Sequence, residues 1–417
     1  GMRILLIDHY AGSPRMGMEY RPYQMARRWG RMGHQVVLLA ADHSHLRLHN
    51  PHVSRDFEEK VIGGVRYSFV RTPEYGPALG GRGKNAAAFV AKIWRAAPQL
   101  ARRWNPEVVI ASSTYPFDSW PARRIARLAG AGLVFEVHDL WPLTQIELYG
   151  YGENHPLVRT IRQGAKYAWR TADKVVSILS GAGEYFAQMG LDPGKMVYIP
   201  NGAEPFPQGG TPPRRQLAAL ERLRREQGFL LIYAGSVGRS NGLLPLVEAA
   251  SLLEGKAGIA ILGNGAYKIP LKRAAGGEGN LLFLDGVDRG QLAPLLARAD
   301  ACYLGAKDSP LYQYGIGMNK LYDYMQAARP ILCGVKTPQN PVELAGCGLV
   351  IPPEDPASIA QGVERMRALS REEREAMGRR GKAYLRQHHQ YARLAERYLE
   401  TLEEAVQLAK RRKEAGR

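Results

Sequence analysis

The feature that most restricts the fold is an alternation of short apolar runs with helix-patterned segments, broken once by a Pro/Gly-rich stretch and then resumed. The runs MRILLIDHY, QVVLLAA, PEVVIAS, GLVFEVHD and KVVSILS are nearly continuous in apolar residues. Strands of that kind are buried on both faces, as in a parallel sheet covered by crossover helices. Between them, EYRPYQMARRWGRMGH and SWPARRIARLAG carry apolar residues at helical spacing, the first stopped by Gly33. Residues 198–215, YIPNGAEPFPQGGTPPRR, read as a connection because Pro and Gly end both kinds of element.

Beyond it the pattern restarts with GFLLIYAGS, GLLPLVEAASLL, AGIAILGNG, NLLFLDG, QLAPLLARAD, ACYLGA, NKLYDYMQAA, PILCG and GLVIP. A chain of 417 residues is too long for one ordinary core. The expectation is α/β, with two doubly wound Rossmann-like domains: residues 1–200, a linker over 201–215, and residues 216–385. From Ser370 onward the chain is charged and rich in helix formers, and residues 386–417 form a C-terminal helical segment expected to pack back on the first domain. In doubly wound folds ligands bind beyond the carboxyl ends of the strands. The two domains are therefore expected to face one another across a cleft, with function in the strand-to-helix loops.

The net charge of +18 favours anionic partners: nucleic acid, anionic lipid or phosphorylated substrates. Basic residues are scattered and no nucleic-acid recognition motif is present, so nucleic acid is not the expected partner. Cys302, Cys333 and Cys347 make no CxxC pair, which supports neither a disulfide framework nor a zinc ribbon. The first apolar run is cut by Asp8 and no other stretch approaches a membrane span, so a cytoplasmic protein is expected.

Four glycine-bearing loops stand out in the second half. AGSVGRSNG places Gly235, Gly238 and Gly242 before a helix, with Arg239 as a cation; LGNGAYK and LDGVDRGQL follow the next strands. Each reads as a plain turn or as a phosphate cradle, because glycine permits close backbone approach and helix N-termini attract anions. In the fourth, GIGMNKLYDYM, Lys320 and Asp323 are three apart on one helical face. They read as a surface ion pair or as a ligand site, the cation for phosphate and the carboxylate for a sugar diol. In the first half, His138 and Asp139 leave a strand together in FEVHDLWP. The segment 80–104, with Arg82, Lys84, Lys92, Arg95, Arg102 and Arg103 beside Phe89, Ile93, Trp94 and Trp104, reads as a crossover helix or as one lying on anionic lipid. His43, His45, His49 and His52 lack typical metal spacing and read as a loop facing an acceptor.

Taken in order, YQMARRWGRMGHQVVLLA, FEVHDLWP, TADKVVSILS, IPNG, YAGS, LGNG, NLLFLDGV and NKLYDYMQAARPIL resemble the family-four retaining glycosyltransferases of the GT-B fold. The similarity is greatest to the bacterial O-antigen and capsule branch, which includes N-acetylfucosamine transferases. This resemblance implies an acceptor-binding first domain and a nucleotide-sugar-binding second domain. It implies transfer from a nucleotide-diphosphate sugar, UDP-linked, to a lipid-linked saccharide acceptor, at the inner face of the cytoplasmic membrane.

The same resemblance assigns residues. Gly17 and Glu19 match the family's Gly-Gly-x-Glu loop, with Met16 at the first glycine; Gly17 goes to the diphosphate, Glu19 and Asp139 to the acceptor side. His138 corresponds to the catalytic histidine at the donor sugar. Ser236 and Asn241 occupy places that usually hold phosphate-binding cations, so Arg239 and Lys320 are expected to supply that charge beside Gly235. Gly263, Asn264, Val287 and Asp323 are implied for the nucleoside, Asp323 as the second carboxylate of a Glu-x7-Glu motif whose first falls on Gly315. Gly315, Ile316, Gly317, Met318 and Asn319 are implied for the donor sugar. No Asp-x-Asp motif is present, so no metal and no cofactor are expected. A nucleotide-sugar 2-epimerase of the same fold and a basic nucleic-acid-binding protein are the alternatives.

Overall fold

A computed structural model of the chain describes residues 1–76 and 79–416. They form two compact units, Gly1–Gly202 with Tyr391–Arg417, and Ala203–Gln390.

The first unit is built on eight strands: β1 (Arg3–Ile7), β2 (Gln35–Ala41), β3 (Glu58–Ile62), β4 (Val65–Val70), β5 (Val108–Ala111), β6 (Gly132–Val137), β7 (Lys174–Ser177) and β8 (Met196–Tyr198). Their order in the sheet is β3-β4-β2-β1-β5-β6-β7-β8. β1 pairs in parallel with β2 and β5, Ile4 opposite both Val36 and Val108, and the central strands are buried along their length. Only β3 runs antiparallel, joined to β4 by Gly63 and Gly64, both at positive φ. Sequence reading missed this hairpin, although a Gly-Gly pair between two strand-like runs is its signal.

The crossover segment 80–104 lies in one helix, Leu79–Trp104. Phe89, Ile93 and Trp104 are buried, whereas Trp94 is 45% exposed among Arg95, Arg102 and Arg103. Lys92 is tied to Asp56 and Arg103 to Glu59. The C-terminal helix Tyr391–Ala415 buries Leu394, Ala395, Tyr398, Leu402, Ala405 and Ala409 in the first unit's core, a stripe at helical spacing. The Trp29 indole donates to the Ala395 carbonyl at 3.0 Å and meets the Tyr398 ring edge-on at 5.1 Å. This packing requires Gly132, because a Cβ there would fall 2.5 Å from the Ala405 carbonyl oxygen. The helix Arg371–His388 belongs to the second unit, which runs through Gln390, so residues 386–390 lie there and not in the returning segment.

The second unit has six strands, all parallel: β9 (Leu230–Ala234), β10 (Gly258–Leu262), β11 (Leu281–Leu284), β12 (Ala301–Gly305), β13 (Ile331–Gly334) and β14 (Gly348–Val350), in the order β11-β10-β9-β12-β13-β14. Connections reverse direction at β9 and β12, the switch point beyond which such sheets bind ligands. Ala203 joins this unit at once, its amide donating to the His389 carbonyl at 2.8 Å, so the Pro/Gly connection is not a free linker at its start. Among the described residues no helix is long and apolar enough to cross a membrane.

Candidate active site

In the first unit the carboxyl ends of β1, β5 and β6 bring Asp8, Ser112, Glu136 and His138 together. Glu136 Oε2 stands 2.7 Å from His138 Nε2, and the Ser112 hydroxyl oxygen lies within hydrogen-bond reach of both Glu136 Oε2 and, at 3.2 Å, Asp8 Oδ2, with a single proton to donate to one of them. On the other side of Glu136, the Arg21 guanidinium approaches to 2.9 Å. Arg21 also donates to the carbonyls of Pro200 at 2.7 Å and Ile199 at 2.9 Å. His138 is the member open to a ligand, its side chain 13% exposed against 3% for Glu136.

The electrostatics follow from this packing. Burial alone would raise the Glu136 carboxyl, but the charges of Arg21 and His138 and their hydrogen bonds hold it well below the carboxylate range. Burial opposes charge on His138, yet Glu136 raises its pKa above that of a free imidazole. Asp8 is pushed up to about 8 by burial, with Glu19 and Glu136 adding to the effect against His138. At neutral pH the cluster therefore holds one carboxylate, one largely neutral acid and a histidine biased toward imidazolium.

The loop before the first helix is tightly constrained. Gly17 lies at φ +76, and a Cβ there would fall 2.8 Å from the Leu48 side chain. Met18 and Glu19 follow at φ 50 and 53, left-handed conformations that cost non-glycine residues free energy and cluster at functional sites. Met16 is buried in the core. The Asp139 carboxylate accepts from the Leu140 amide at 2.9 Å and from the Thr144 hydroxyl, so it closes the turn into the next helix, a structural task sequence reading did not foresee. His45 is bonded to Tyr75 and is depressed to about 4 by burial and Arg82. Among the described residues no group of His, Cys, Asp or Glu stands where it could hold a metal.

In the second unit the loops after β9 and β10 touch. A Cβ on Gly263 would lie 1.8 Å from the Gly235 carbonyl oxygen. Gly235, at φ +154, has the Lys320 stem against it, 2.9 Å from where a Cβ would stand. The Lys320 ammonium lies 5.7 Å from the Tyr233 ring centroid and has no carboxylate within ion-pair distance among the described residues. Burial lowers its pKa, against the influence of Asp323. Asp323 instead pairs with Arg289 at 2.7 Å, and Arg289 also donates to the Glu204 carbonyl at 2.8 Å. The surface pairing of Lys320 with Asp323 that their spacing allowed is therefore absent: the third loop supplies Asp323's partner.

The remaining positions divide. Asn241 Oδ1 accepts from the Gly238 amide at 2.9 Å, so this oxygen closes the loop. Ser236 is exposed, and Arg239 is exposed with its guanidinium 5.5 Å from the Tyr267 ring. Asn264 accepts from Lys268, which also bonds Asp285 at 3.0 Å and so ties the second loop to the third. Val287, Ile316 and Met318 pack against the core, Gly315 sits at φ 109, and Asn319 is exposed at the start of the helix Asn319–Gln326. Gly317 is half-buried beside it.

Sequence reading missed Asp8, Arg21, Ser112, Glu136, Lys268 and Arg289. Glu136 carried a signal, an acid inside the apolar run GLVFEV. Arg21 and Arg289 carried none, because their partners are far away in the chain.

The sequence profile of the glycosyl transferase 4-like domain matches residues 16–202, and that of glycosyl transferases group 1 matches residues 228–368. The chain belongs to the family-four glycosyltransferases of the GT-B fold. Its enzymatic class is thereby given, and of the clustered site residues Arg21, Ser112, Glu136 and His138 in the first unit and Gly235, Gly263, Arg289, Lys320 and Asp323 in the second fall inside the matched segments, Asp8 just before the first. The glycosyltransferase is 25% identical over 279 residues to WbjE of Pseudomonas aeruginosa, named as a glycosyltransferase, covering 64% of this chain and 68% of that protein. It is 25% identical over 228 residues to WcaI of Escherichia coli strain K12, named as a colanic acid biosynthesis glycosyl transferase, covering 50% of this chain and 54% of that one. Among solved structures, HepE of Anabaena in complex with UDP and glucose superimposes with a TM-score of 0.65 at 15% identity, over 97% of this chain and 100% of that chain.

Proposed function

We propose that this glycosyltransferase transfers a sugar, with retention at the anomeric carbon, from a UDP-sugar to a lipid-linked saccharide precursor of a bacterial surface polysaccharide. The observation that carries the donor assignment is Lys320, a half-buried ammonium without a carboxylate partner, laid against the glycine loop after β9. Such a cation is an incomplete site until an anion arrives, and a nucleotide diphosphate supplies one. HepE, solved with UDP and glucose, and WbjE and WcaI, named as above, support the substrate class.

In this reading Gly235, Ser236, Arg239 and Lys320 face the diphosphate, and Gly17 is given the same role by the family resemblance alone. Asn241 acts by shaping the loop. Gly263, Asn264, Val287 and Asp323 take the nucleoside, and residues 315–319 the donor sugar. As the bond from the anomeric carbon to the diphosphate breaks, negative charge grows on the leaving oxygen, and Lys320 stabilises it. The acceptor hydroxyl forms the new bond on the same face and its proton passes to the departing phosphate. His138, held by Glu136, orients the sugar, and Glu19 serves the acceptor. Charge on the diphosphate is met by side chains and loop amides, so we expect turnover in the presence of a chelator. The exposed basic face of the helix Leu79–Trp104 is suited to anionic lipid.

The test is calorimetric titration with UDP and UDP-sugars, followed by analysis of the product with and without acceptor. Binding of UDP and appearance of an α-configured product from an α-configured donor support the reading. Epimerised nucleotide sugar formed without acceptor would establish the epimerase instead.

A further inference from the structure

At the amino-terminal edge of the first unit's sheet, opposite the end that carries His138, lies a pocket of about 650 Å³. It is lined by Arg123, Arg127, Arg170, Lys195, Arg412 and Lys413, with Asp173 the only carboxylate and Leu133 and Ala409 among its apolar lining. Such an excess of positive charge has a bland explanation: cations gather at helix C-termini, and the helices Ser119–Ala129 and Pro156–Thr171 both end here. Half of the set is engaged within the fold. Lys195 donates to the carbonyls of Trp169, Arg170 and Ala172, Arg412 pairs with Asp173, and Arg123 donates to the Tyr167 hydroxyl.

Arg127 and Arg170 stand in the last turns of those two helices, which accounts for their position, but among the described residues neither they nor Lys413 are tied to a partner. None has a carboxylate, carbonyl or ring partner among the described residues, and Lys413 comes from the C-terminal helix, not from either helix that ends at the pocket. Its stem crosses Gly130, where a Cβ would fall 2.0 Å from Lys413 Cε, so the glycine makes room for the lysine. The second unit offers an internal control. At the matching edge of its sheet Asp300, like Asp173, accepts from a strand amide and pairs with an arginine, beside a pocket of about 340 Å³. Every arginine there is engaged: Arg224 with Asp300, Arg298 with Glu221, Arg329 with Ala299, Arg371 with Glu375, and Arg374 with Met366 and Leu369. Unpaired cations are therefore not a general property of this sheet edge.

We propose that the pocket binds a phosphate-bearing ligand, held by Arg127, Arg170 and Lys413. Phosphate presents several oxygens to converging guanidinium and ammonium groups, and the volume leaves space for whatever carries it. The proposal is independent of the donor assignment, because these residues lie on the edge of the first unit's sheet away from Glu136 and His138.

The test uses the full chain saturated with UDP and titrated with inorganic pyrophosphate. Wild type should bind, Arg170→Gln should bind about tenfold more weakly, and R127Q/R170Q/K413Q should not bind measurably. UDP affinity and melting temperature should be unchanged, and R127K/R170K should retain binding. Sedimentation with phosphatidylcholine vesicles, with and without phosphatidylglycerol, separates the sources. Loss of vesicle binding in the triple variant assigns the phosphate to a lipid headgroup; unchanged vesicle behaviour with lost pyrophosphate binding assigns it to a soluble ligand. Equal pyrophosphate affinity in wild type and triple variant, or no binding of either probe by wild type, overturns the proposal.

Discussion

Arg21 and Glu136, 115 positions apart in the chain, form a buried ion pair at 2.9 Å with neither side chain more than 6% exposed. Through it the loop before the first helix, the strand end that carries His138 and the carbonyls of Ile199 and Pro200 become one unit. Arg21→Gln leaves Glu136 charged and without its strongest partner. Unfolding in urea should show a loss of about 3 to 5 kcal/mol, the usual cost of breaking a buried pair from one side. A loss below 1 kcal/mol would mean that water reaches Glu136.

The pH dependence of stability should bear the mark of Asp8. Its folded pKa, about 8, lies above its unfolded value, so between them the folded state binds more proton and stability falls as pH rises. His138, also raised, acts in the same direction: its contribution is complete below its unfolded pKa and disappears as pH rises through the folded one. Glu136 is lowered, so its contribution is fully present above its unfolded pKa and is lost only as pH falls into the acid range. Asp8→Asn should flatten the decline between pH 5 and 9 by on the order of a few kcal/mol. An unchanged slope would assign the whole effect to His138, whose imidazole titration by NMR should move down in Glu136→Gln.

Lys320→Ala should weaken UDP binding by about 1.5 to 3 kcal/mol, the range for a lost contact to a charged group, and should lower turnover further, because charge on the leaving phosphate grows in the transition state. The fold should barely respond, since Lys320 bonds no carboxylate. Asn241→Lys in that background should recover part of the affinity. A variant whose only defect is a lowered melting temperature would show Lys320 to be structural.

Asp323 and Arg289 can be separated by comparing affinity with stability. Asp323→Ala should weaken UDP by about 1 to 3 kcal/mol. Arg289→Gln keeps the carboxylate but removes its 2.7 Å partner and the bond to the Glu204 carbonyl, so it should lower stability more than affinity. Equal losses of stability with intact UDP binding in both variants would leave Asp323 only a partner for Arg289.

Gly263→Ala probes the contact between the first two donor loops. Its Cβ would stand 1.8 Å from the Gly235 carbonyl oxygen, a backbone atom that cannot yield without moving the loop. We expect a loss of about 1 to 3 kcal/mol in stability, the range for overpacking, together with weakened UDP binding. Wild-type UDP affinity in this variant would detach the loop contact from the donor site.

What the sequence determined by itself is whatever depends on residues near one another in the chain. Apolar runs at strand length, helical spacing and a Pro/Gly interruption are local signals, and they led to the α/β class and the two sheets. The glycine loops and Lys320 were legible for the same reason: each follows directly on a strand or opens a helix. The tertiary structure decided the pairings. Asp323 has a lysine three residues away, yet Arg289, 34 residues distant, takes it, because the fold brings the segment after β11 against the helix Asn319–Gln326. Glu136 reads as a lone acid in an apolar strand until Arg21 and His138 surround it. The three cations left over at the far sheet edge come from helices that meet only after the C-terminal segment has packed back on the first unit. Charge is a property of each residue, but whether a charge is satisfied depends on burial and on neighbours that only the folded chain supplies.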